Sequence, residues 1–277
     1  SKPVLIIYGD SRWARTGVAD SDLDAYLSGK WSIRNFARAG GDMIHRGLCE
    51  DGKADVPDTG TLTGSNNCFH VYDRFLRDPV SGSCNMQPSD YRTPTCLADQ
   101  LGDLASHTEV VYVEIGINDV RVIAESDLVG WQTGRLASYT SDILEVGQSI
   151  PDSVPCIFAV TYPSFNSTTS PAIISHTEVN RRVNEDLRVA IEDAAAAGNC
   201  AVADLYAATI AYEAEHGTDE LLTMYANCSP ADVGQATGDC LHPSVAAFTP
   251  EGGAHPLIQE IDRALLEAIR LKPGRWP

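Results

Sequence analysis

The stretch that decides the fold reads Val-Val-Tyr-Val-Glu-Ile at positions 110–115 and is followed at once by Gly-Ile-Asn-Asp at 116–119. An almost continuous apolar run of this length is typical of a strand that is buried on both faces of a parallel sheet. Comparable runs lie at 4–8, 32–37, 156–160 and 200–205. Together these segments predict a parallel sheet whose strands are spread along most of the chain.

Helical patterns lie between the predicted strands. The clearest covers 176–197, where Glu and Arg occupy the face opposite the apolar positions and Gly198 supplies a stop. Similar patterns cover 131–150, which Pro151 ends, and about 251–271. Strands that alternate with such helices predict βαβ units, and therefore a single domain over 1–277 of the α/β class, a three-layer α/β/α sandwich with a central parallel sheet. The predicted core positions of the first and last of these helices are Val179, Val183, Leu187, Val189, Ile191, Leu257, Ile258, Ile261, Leu265, Leu266 and Ile269.

A segment at about 49–95 interrupts this alternation, since it is rich in Gly, Pro, Asp, Ser and Asn. We expect it to be a cysteine-rich insertion braced by disulfides. The eight cysteines of the chain form no Cys-x-x-Cys pair and no Cys/His zinc spacing, so we predict no metal site. An even cysteine count favours disulfides in an oxidising compartment, and hence a secreted, extracellular or periplasmic protein; the alternative is a set of unpaired buried thiols. The cysteines are Cys49, Cys68, Cys84, Cys96, Cys156, Cys200, Cys228 and Cys240.

The charge balance limits the partners of the protein. Twenty Lys and Arg against 38 Asp and Glu give a formal net charge of -18, which would repel nucleic acid and anionic membranes. No run of eighteen apolar residues occurs, so the sequence predicts no membrane span. We expect a neutral small-molecule substrate and no cofactor, and the oligomeric state is left open.

Polar residues follow the predicted strands at the points where catalytic groups gather in parallel sheets, just beyond the carboxyl ends. Gly-Asp-Ser at 9–11 follows the first strand, Ala-Gly-Gly-Asp at 39–42 the second and Gly-Ile-Asn-Asp at 116–119 the third, while Asp-Cys-Leu-His lies late in the chain at 239–242. Each motif alone is common in ordinary turns. Their joint order offers a nucleophile, hydrogen-bond donors and a base at successive strand ends, which indicates nucleophilic catalysis.

These motifs resemble those of the SGNH or GDSL hydrolases. Ser11 lies in the first block, Asn-Phe-Ala-Arg-Ala-Gly at 35–40 is similar to the second, the motif at 116–119 to the third, and Asp-Cys-Leu-His-Pro at 239–243 to the last. The resemblance covers about 3–271 and implies a flavodoxin-like SGNH hydrolase fold. It implies a catalytic triad in which Ser11 attacks an ester carbonyl, His242 takes its proton and Asp239 orients the imidazole. Histidine suits this role because its ordinary pKa lies near neutral pH.

The resemblance also implies an oxyanion hole. Its donors would be the backbone N–H groups of Ser11 and Gly40 and the side-chain amide of Asn118. Counting five residues on from the start of the second block selects Gly40, whereas alignment on Gly-Asp selects Gly41 as the alternative. The residue after the nucleophile departs from the common pattern of the family. It is Arg12, which either binds a substrate carboxylate or pairs with a nearby acid such as Asp10 or Asp42.

The sequence therefore predicts a secreted serine esterase that acts on short-chain carboxylic esters through an acyl-enzyme. An acylated carbohydrate, such as an acetylated polysaccharide, is one expected substrate. Two alternatives remain open at this point. The first is a sugar O-acyltransferase of the same superfamily, which the Gly-Asp-Ser-Arg motif at 9–12 resembles. The second is a non-catalytic carbohydrate-binding module on the same scaffold.

Overall fold

A computed structural model of the protein describes residues 3–14, 30–35, 41–42, 69–70, 109–120, 130–167, 174–244 and 256–272. Its strands are β1 (Val4–Gly9), β2 (Ser32–Asn35), β3 (Gly41–Asp42), β4 (Phe69–His70), β5 (Glu109–Glu114), β6 (Cys156–Val160) and β7 (Ala201–Asp204). Five of them form one parallel sheet in the order β2-β1-β5-β6-β7, and β3 and β4 form a separate parallel pair. Counted along the chain, the main-sheet strands have the order 2-1-3-4-5, which is flavodoxin-like.

Helices surround the sheet. Two of them continue from π-helical turns, at Trp131–Arg135 and Arg182–Leu187. The helices are α1 (Ser11–Ala14), α2 (Ile117–Val120), α3 (Leu136–Ser149), α4 (His176–Arg181), α5 (Arg188–Ala197), α6 (Leu205–His216), α7 (Thr218–Leu222) and α8 (Pro256–Leu271).

Alternate side chains of β1 enter two different hydrophobic clusters. Ile6 and Tyr8 pack into the cluster that includes buried residues of α3, α4 and α5. Leu5 and Ile7 pack into the other, with buried residues of α6, α7 and α8. Since successive side chains of a strand point to opposite faces, the sheet carries helices on both sides. This confirms the predicted three-layer α/β/α architecture with a central parallel sheet.

The helix predicted at 176–197 is confirmed as one helical run, α4 to α5, with the π-helical turn in its middle. Two predicted core positions are wrong: Val189 and Leu266 are 57% and 58% exposed. Gly198 ends α5 in a right-handed conformation, and it is Asn199 that takes the positive φ of 49°. Glycine is nevertheless required at 198, because a Cβ there would lie 2.7 Å from the carbonyl oxygen of Gly147.

Two disulfides are formed, Cys156–Cys200 and Cys228–Cys240, which confirms disulfide formation for these four cysteines. The first joins the start of β6 to the residue before β7. Cys49, Cys68, Cys84 and Cys96 lie outside the described residues, so the cysteine-braced insertion stays a prediction. Among the helices that the structure describes, none is long and apolar enough to cross a membrane.

Candidate active site

Three segments leave the sheet at the carboxyl ends of adjacent strands. Helix α1 follows β1, helix α2 follows β5, and the loop 161–167 follows β6. These strands are neighbours in the order β1-β5-β6, and Gly9, the last residue of β1, pairs with Glu114, the last residue of β5. The backbone therefore brings the predicted nucleophile segment and the predicted amide-donor segment to the same edge of the sheet.

The carboxylate of Asp10 organises the turn that carries Ser11. Its Oδ1 accepts a hydrogen bond from the backbone N–H of Arg12 at 2.9 Å, and the backbone carbonyl of Asp10 accepts one from the N–H of Trp13 at 3.2 Å. This use of an aspartate side chain to hold a turn is common where a strand ends. The backbone of Ser11 is thereby fixed between two bonded neighbours. The side chain of Ser11 lies outside the described residues, and its role as nucleophile stays a prediction.

The second segment is shaped by Gly116. Its φ is +136°, and a Cβ there would lie 2.6 Å from Cδ1 of Leu187, so only glycine fits this turn. The hydroxyl of Tyr139 donates to the carbonyl oxygen of Ile115 at 2.9 Å and fixes the strand end. Asn118 follows as a half-buried residue of α2. Among the other predicted oxyanion donors, Gly40 lies outside the described residues and Gly41 is described only as backbone of β3.

The structure brings Asp239 and His242 into contact. Nδ1 of the imidazole lies 2.6 Å from Oδ1 of the carboxylate, and the backbone N–H of His242 donates to the same oxygen at 3.3 Å. The His242 side chain is 12% exposed and that of Asp239 is 39% exposed. A carboxylate at this distance holds the proton of the neutral imidazole on Nδ1 and makes Nε2 the basic nitrogen.

Burial is the largest single influence on the pKa of Asp239 and acts to raise it. The side-chain hydrogen bond with His242, the charge of its imidazole, and hydrogen bonds from the backbone N–H groups of His242 and Leu241 all favour the charged carboxylate and lower the pKa. These effects together outweigh burial, so the pKa of Asp239 lies below its ordinary value. Asp239 is therefore ionised at neutral pH.

The segment that bears this pair is held to the rest of the site at several points. The Cys228–Cys240 disulfide anchors this segment at Cys240, which lies between Asp239 and His242 in the chain. The carbonyl of His242 accepts from the N–H of Ala226 at 2.9 Å, and the carbonyl of Cys240 accepts from the N–H of Phe165 at 2.9 Å. The last bond joins it to the loop that follows β6. Among the described residues, no cluster of three or more His, Cys, Asp or Glu is placed to bind a metal ion.

Arg12 points into the protein and is 1% exposed. Its guanidinium donates to Oγ1 of Thr161 at 2.7 Å, to the carbonyl of Tyr162, and to the carbonyl of Pro163 at 3.3 Å. It also lies over the ring of Tyr162, 3.9 Å from the centroid. Substrate binding by Arg12, and its pairing with Asp10 or Asp42, stay predictions; the side chain of Asp42 lies outside the described residues. The described hydrogen bonds of its guanidinium all go to the loop that follows β6.

A buried carboxylate beside this cation escaped the sequence-based prediction. Glu114 ends β5, is 1% exposed, and accepts hydrogen bonds from Trp13, Tyr112 and Thr161. Burial raises the pKa of Glu114, while these hydrogen bonds and the charge of Arg12 oppose the increase. The signal available in the sequence was a single acidic residue inside an apolar strand. Such a residue needs buried partners, although the strand pattern does not say which.

No protein-family model matches the chain. No curated protein matches it either. Solved structures of three kinds are similar to it. A catalytic mutant of an acetylxylan esterase from Geobacillus stearothermophilus is 15% identical, with 97% of this chain and 94% of that chain covered and a TM-score of 0.49. A member of the lipolytic protein G-D-S-L family from Veillonella parvula is 12% identical, with 99% and 97% covered and a TM-score of 0.41.

The third is an alpha/beta hydrolase enzyme from the metagenome of Lake Arreo, which is 15% identical, with 98% of this chain and 96% of that chain covered and a TM-score of 0.44. Identities and TM-scores at this level do not assign an activity. The chain is thus similar, over nearly its whole length, to structures of the lipolytic G-D-S-L family and of an acetylxylan esterase.

Proposed function

We propose that the protein is a secreted serine esterase of the SGNH (GDSL-type) superfamily that hydrolyses short-chain carboxylic esters. The observation that carries the proposal is the contact of 2.6 Å between His242 Nδ1 and Asp239 Oδ1. An imidazole held in this way is a ready general base, and the partner it needs is an alcohol. Ser11, in the turn after β1, is the proposed alcohol.

In the proposed reaction, the hydroxyl oxygen of Ser11 attacks the ester carbonyl carbon while Nε2 of His242 takes its proton. The imidazolium that forms is stabilised by the carboxylate of Asp239. The tetrahedral intermediate collapses when His242 returns the proton to the leaving alcohol, and the acyl group remains on Ser11. Water then repeats the sequence with the same base and releases the carboxylic acid.

The charge that develops on the carbonyl oxygen needs fixed donors. The proposed donors are the N–H of Ser11, the N–H of Gly40, with Gly41 as the alternative, and the amide of Asn118. Ser11 lies two positions after Gly9, and Asn118 four after Glu114, and Gly9 and Glu114 are register partners in the sheet. This register supports the proposal because it starts both segments from the same level of neighbouring strands. Each such donor typically contributes a rate factor of about a hundred to a thousand.

The finer features of the proposal concern the substrate and the compartment. A net charge of -18 suits a neutral ester better than an anionic one. An acetyl ester of a polysaccharide is the substrate we propose within that class. The two disulfides support secretion, because such bonds persist in oxidising compartments.

Hydrolysis of p-nitrophenyl acetate by the wild type and by Ser11→Ala tests the proposal. We expect the variant to lose nearly all enzymatic turnover, while Ser244→Ala, two positions beyond the predicted base, keeps it. Equal rates in the wild type and Ser11→Ala would end the assignment of the nucleophile. An added sugar acceptor separates the transferase alternative, since a transferase would pass the acetyl group to the sugar in preference to water.

The substrate class is tested separately with acetylated polysaccharides and with esters of longer acyl chains. We expect acetate release from the polysaccharides and a decline in kcat/KM as the acyl chain lengthens. Binding of the polysaccharide without any release of acetate would favour the non-catalytic alternative.

A further inference from the structure

We infer that Glu114 and Arg12 are positioning residues, which hold the turn of Ser11 and the segment of His242 at a fixed separation through one buried hydrogen-bond network. The inference rests on the proposed function. It concerns two charged residues that the proposed mechanism does not use. The network runs from Trp13 and Arg12 through Glu114 and Thr161 to the loop after β6.

The first half of the network fixes α1 to the end of β5. Nε1 of Trp13 donates to Oε2 of Glu114 at 2.5 Å. Trp13 is only 5% exposed and packs edge-on against the ring of Tyr112, with centroids 5.5 Å apart. The hydroxyl of Tyr112 donates to the same oxygen at 2.8 Å. Since Trp13 is two positions from Ser11, this anchor sets where the turn leaves the sheet.

The second half depends on the direction of the bonds around Thr161. Arg12 can only donate, so the oxygen of Thr161 accepts from the guanidinium at 2.7 Å and turns its hydrogen toward Oε1 of Glu114, also at 2.7 Å. Glu114 therefore accepts from Thr161, Tyr112 and Trp13 at once. The ionised carboxylate fits this set of donors. Arg12 is its counter-charge, with one hydroxyl between them.

Arg12 extends the network toward the imidazole. Its guanidinium donates to the carbonyl of Pro163 at 3.3 Å, and the hydroxyl of Tyr225 donates to the same carbonyl at 2.8 Å. Tyr225 forms a β-bridge with Pro243, the residue after His242. A continuous path thus leads from Arg12, the neighbour of Ser11, through Pro163 and Tyr225 to the segment of the base.

The physical consequence is control of the distance over which the proton moves. Proton transfer from an alcohol to an imidazole requires hydrogen-bond contact, and a misplacement of about 1 Å can lower the rate about a hundredfold. Both residues that carry the network are nearly inaccessible, so substrate binding does not depend on contact with them. A defect in this network should therefore lower kcat and leave KM almost unchanged.

Glu114→Gln tests this at constant volume. If the amide NH2 replaces Oε2, it faces the N–H of Trp13; if it replaces Oε1, it faces the hydrogen of Thr161. If the Thr161 hydroxyl turns away, its oxygen can accept from both the amide and Arg12, but its hydrogen then loses the acceptor that Oε1 provided. The matched control is Glu109→Gln, at the opposite end of the same strand and 4% exposed. It measures the effect of neutralising a buried glutamate away from the site.

The experiment measures kcat and KM for p-nitrophenyl acetate, the melting temperature, and the rate at which diethyl p-nitrophenyl phosphate inactivates the serine. We expect Glu114→Gln to lower kcat and the inactivation rate by about a hundredfold with KM little changed. Glu109→Gln should keep kcat near that of the wild type at a comparable melting temperature. Arg12→Lys should reproduce the loss, because an ammonium cannot serve Thr161 and two carbonyls in one plane.

Tyr225→Phe keeps the test decisive if the charged variants do not fold. It removes only the bond to the Pro163 carbonyl, and we expect about a tenfold fall in kcat with KM unchanged. A kcat equal to that of the wild type in Glu114→Gln, or in Tyr225→Phe where only that variant folds, would overturn the inference while Ser11→Ala remains inactive. Ser11→Ala with wild-type activity would instead reject the proposed function, and this inference with it.

Discussion

Nδ1 of His242 lies 2.6 Å from Oδ1 of Asp239, and the two residues are joined by a short stretch of chain that contains the disulfide-bonded Cys240. The same carboxylate oxygen also accepts the backbone N–H of His242. The orientation of the ring is therefore set by its own loop, before any contact with the rest of the site. The contribution of the pair can therefore be tested by substitutions within this loop.

The first prediction concerns the tautomer of His242. Asp239→Asn replaces the carboxylate by an amide that can donate to Nδ1, so the proton of the ring moves to Nε2 and the base is lost. We expect kcat to fall by up to about ten-thousandfold with the fold retained. The measurement is kcat for p-nitrophenyl acetate, with circular dichroism as the check on folding.

Asp232→Asn is the matched control for this change. Asp232 lies in the same loop, and its carboxylate accepts from the N–H and the hydroxyl of Ser229. We expect near-normal kcat from this variant. A loss of less than tenfold in Asp239→Asn, or similar losses in both variants, would contradict the proposed role of Asp239.

The second prediction concerns the amide of Asn118. Asn118→Ala removes the side-chain donor proposed for the oxyanion and should lower kcat about a hundred- to a thousandfold, with a much smaller change in KM. Kinetics with p-nitrophenyl acetate provide the measurement. Asn184→Ala, whose side chain accepts from Arg188 in the helical run after β6, is the control and should keep kcat. Equal kcat in the wild type and Asn118→Ala would exclude this donor.

The third prediction separates the two disulfides by what they hold. Removal of Cys228–Cys240, which closes 12 positions, should lower the free energy of unfolding by about 3 kcal/mol and also lower kcat, because it frees the segment of His242. Removal of Cys156–Cys200, which closes 44 positions, should cost about 4 kcal/mol and leave kcat nearly unchanged. Paired Cys→Ala variants, compared by urea unfolding and by kinetics, test both expectations. A loss of kcat that follows stability alone would refute the distinction.

The fold could be predicted because a strand buried on both faces needs apolar residues almost throughout. β5 and β6 meet that requirement. The predicted limits of β5 differ from the observed ones by one residue at each end, and those of β6 are the same as observed. Helices α6 and α7 were not predicted. In α6 only Leu205 and Thr209 are buried, so no apolar stripe marks it.

The candidate site was predictable only in part, for a related reason. The Asp239–His242 pair is local, since its members are three positions apart and one turn brings them together. The partners of Glu114 are distant, because Trp13 is 101 positions away and Thr161 is 47 positions away. No spacing rule connects such residues. The acid inside an apolar strand shows that partners are needed, but the sheet order selects them.

The last prediction concerns Lys272, a buried cation, and the sign of the pH dependence that its burial gives to the free energy of unfolding. Lys272 is 5% exposed, and its ammonium donates to the carbonyls of Val154 and Gly198, each at 2.8 Å. Burial lowers the pKa of Lys272 to about 8, against an opposing charge effect from Asp152. A neutral amine still has two hydrogens for these two carbonyls, so deprotonation keeps both bonds.

Between about pH 8 and the ordinary lysine value near 10.4, the unfolded chain therefore holds a proton at Lys272 that the folded chain has released. Stability rises with pH wherever the unfolded state binds more protons. We expect the free energy of unfolding of the wild type, relative to Lys272→Met, to increase across this window by up to about 3 kcal/mol. Urea unfolding at a series of pH values measures it, with Lys30→Met at an exposed lysine as the control. A difference between wild type and Lys272→Met that stays constant from pH 7 to about 10.5 would show that this burial does not disfavour the charge.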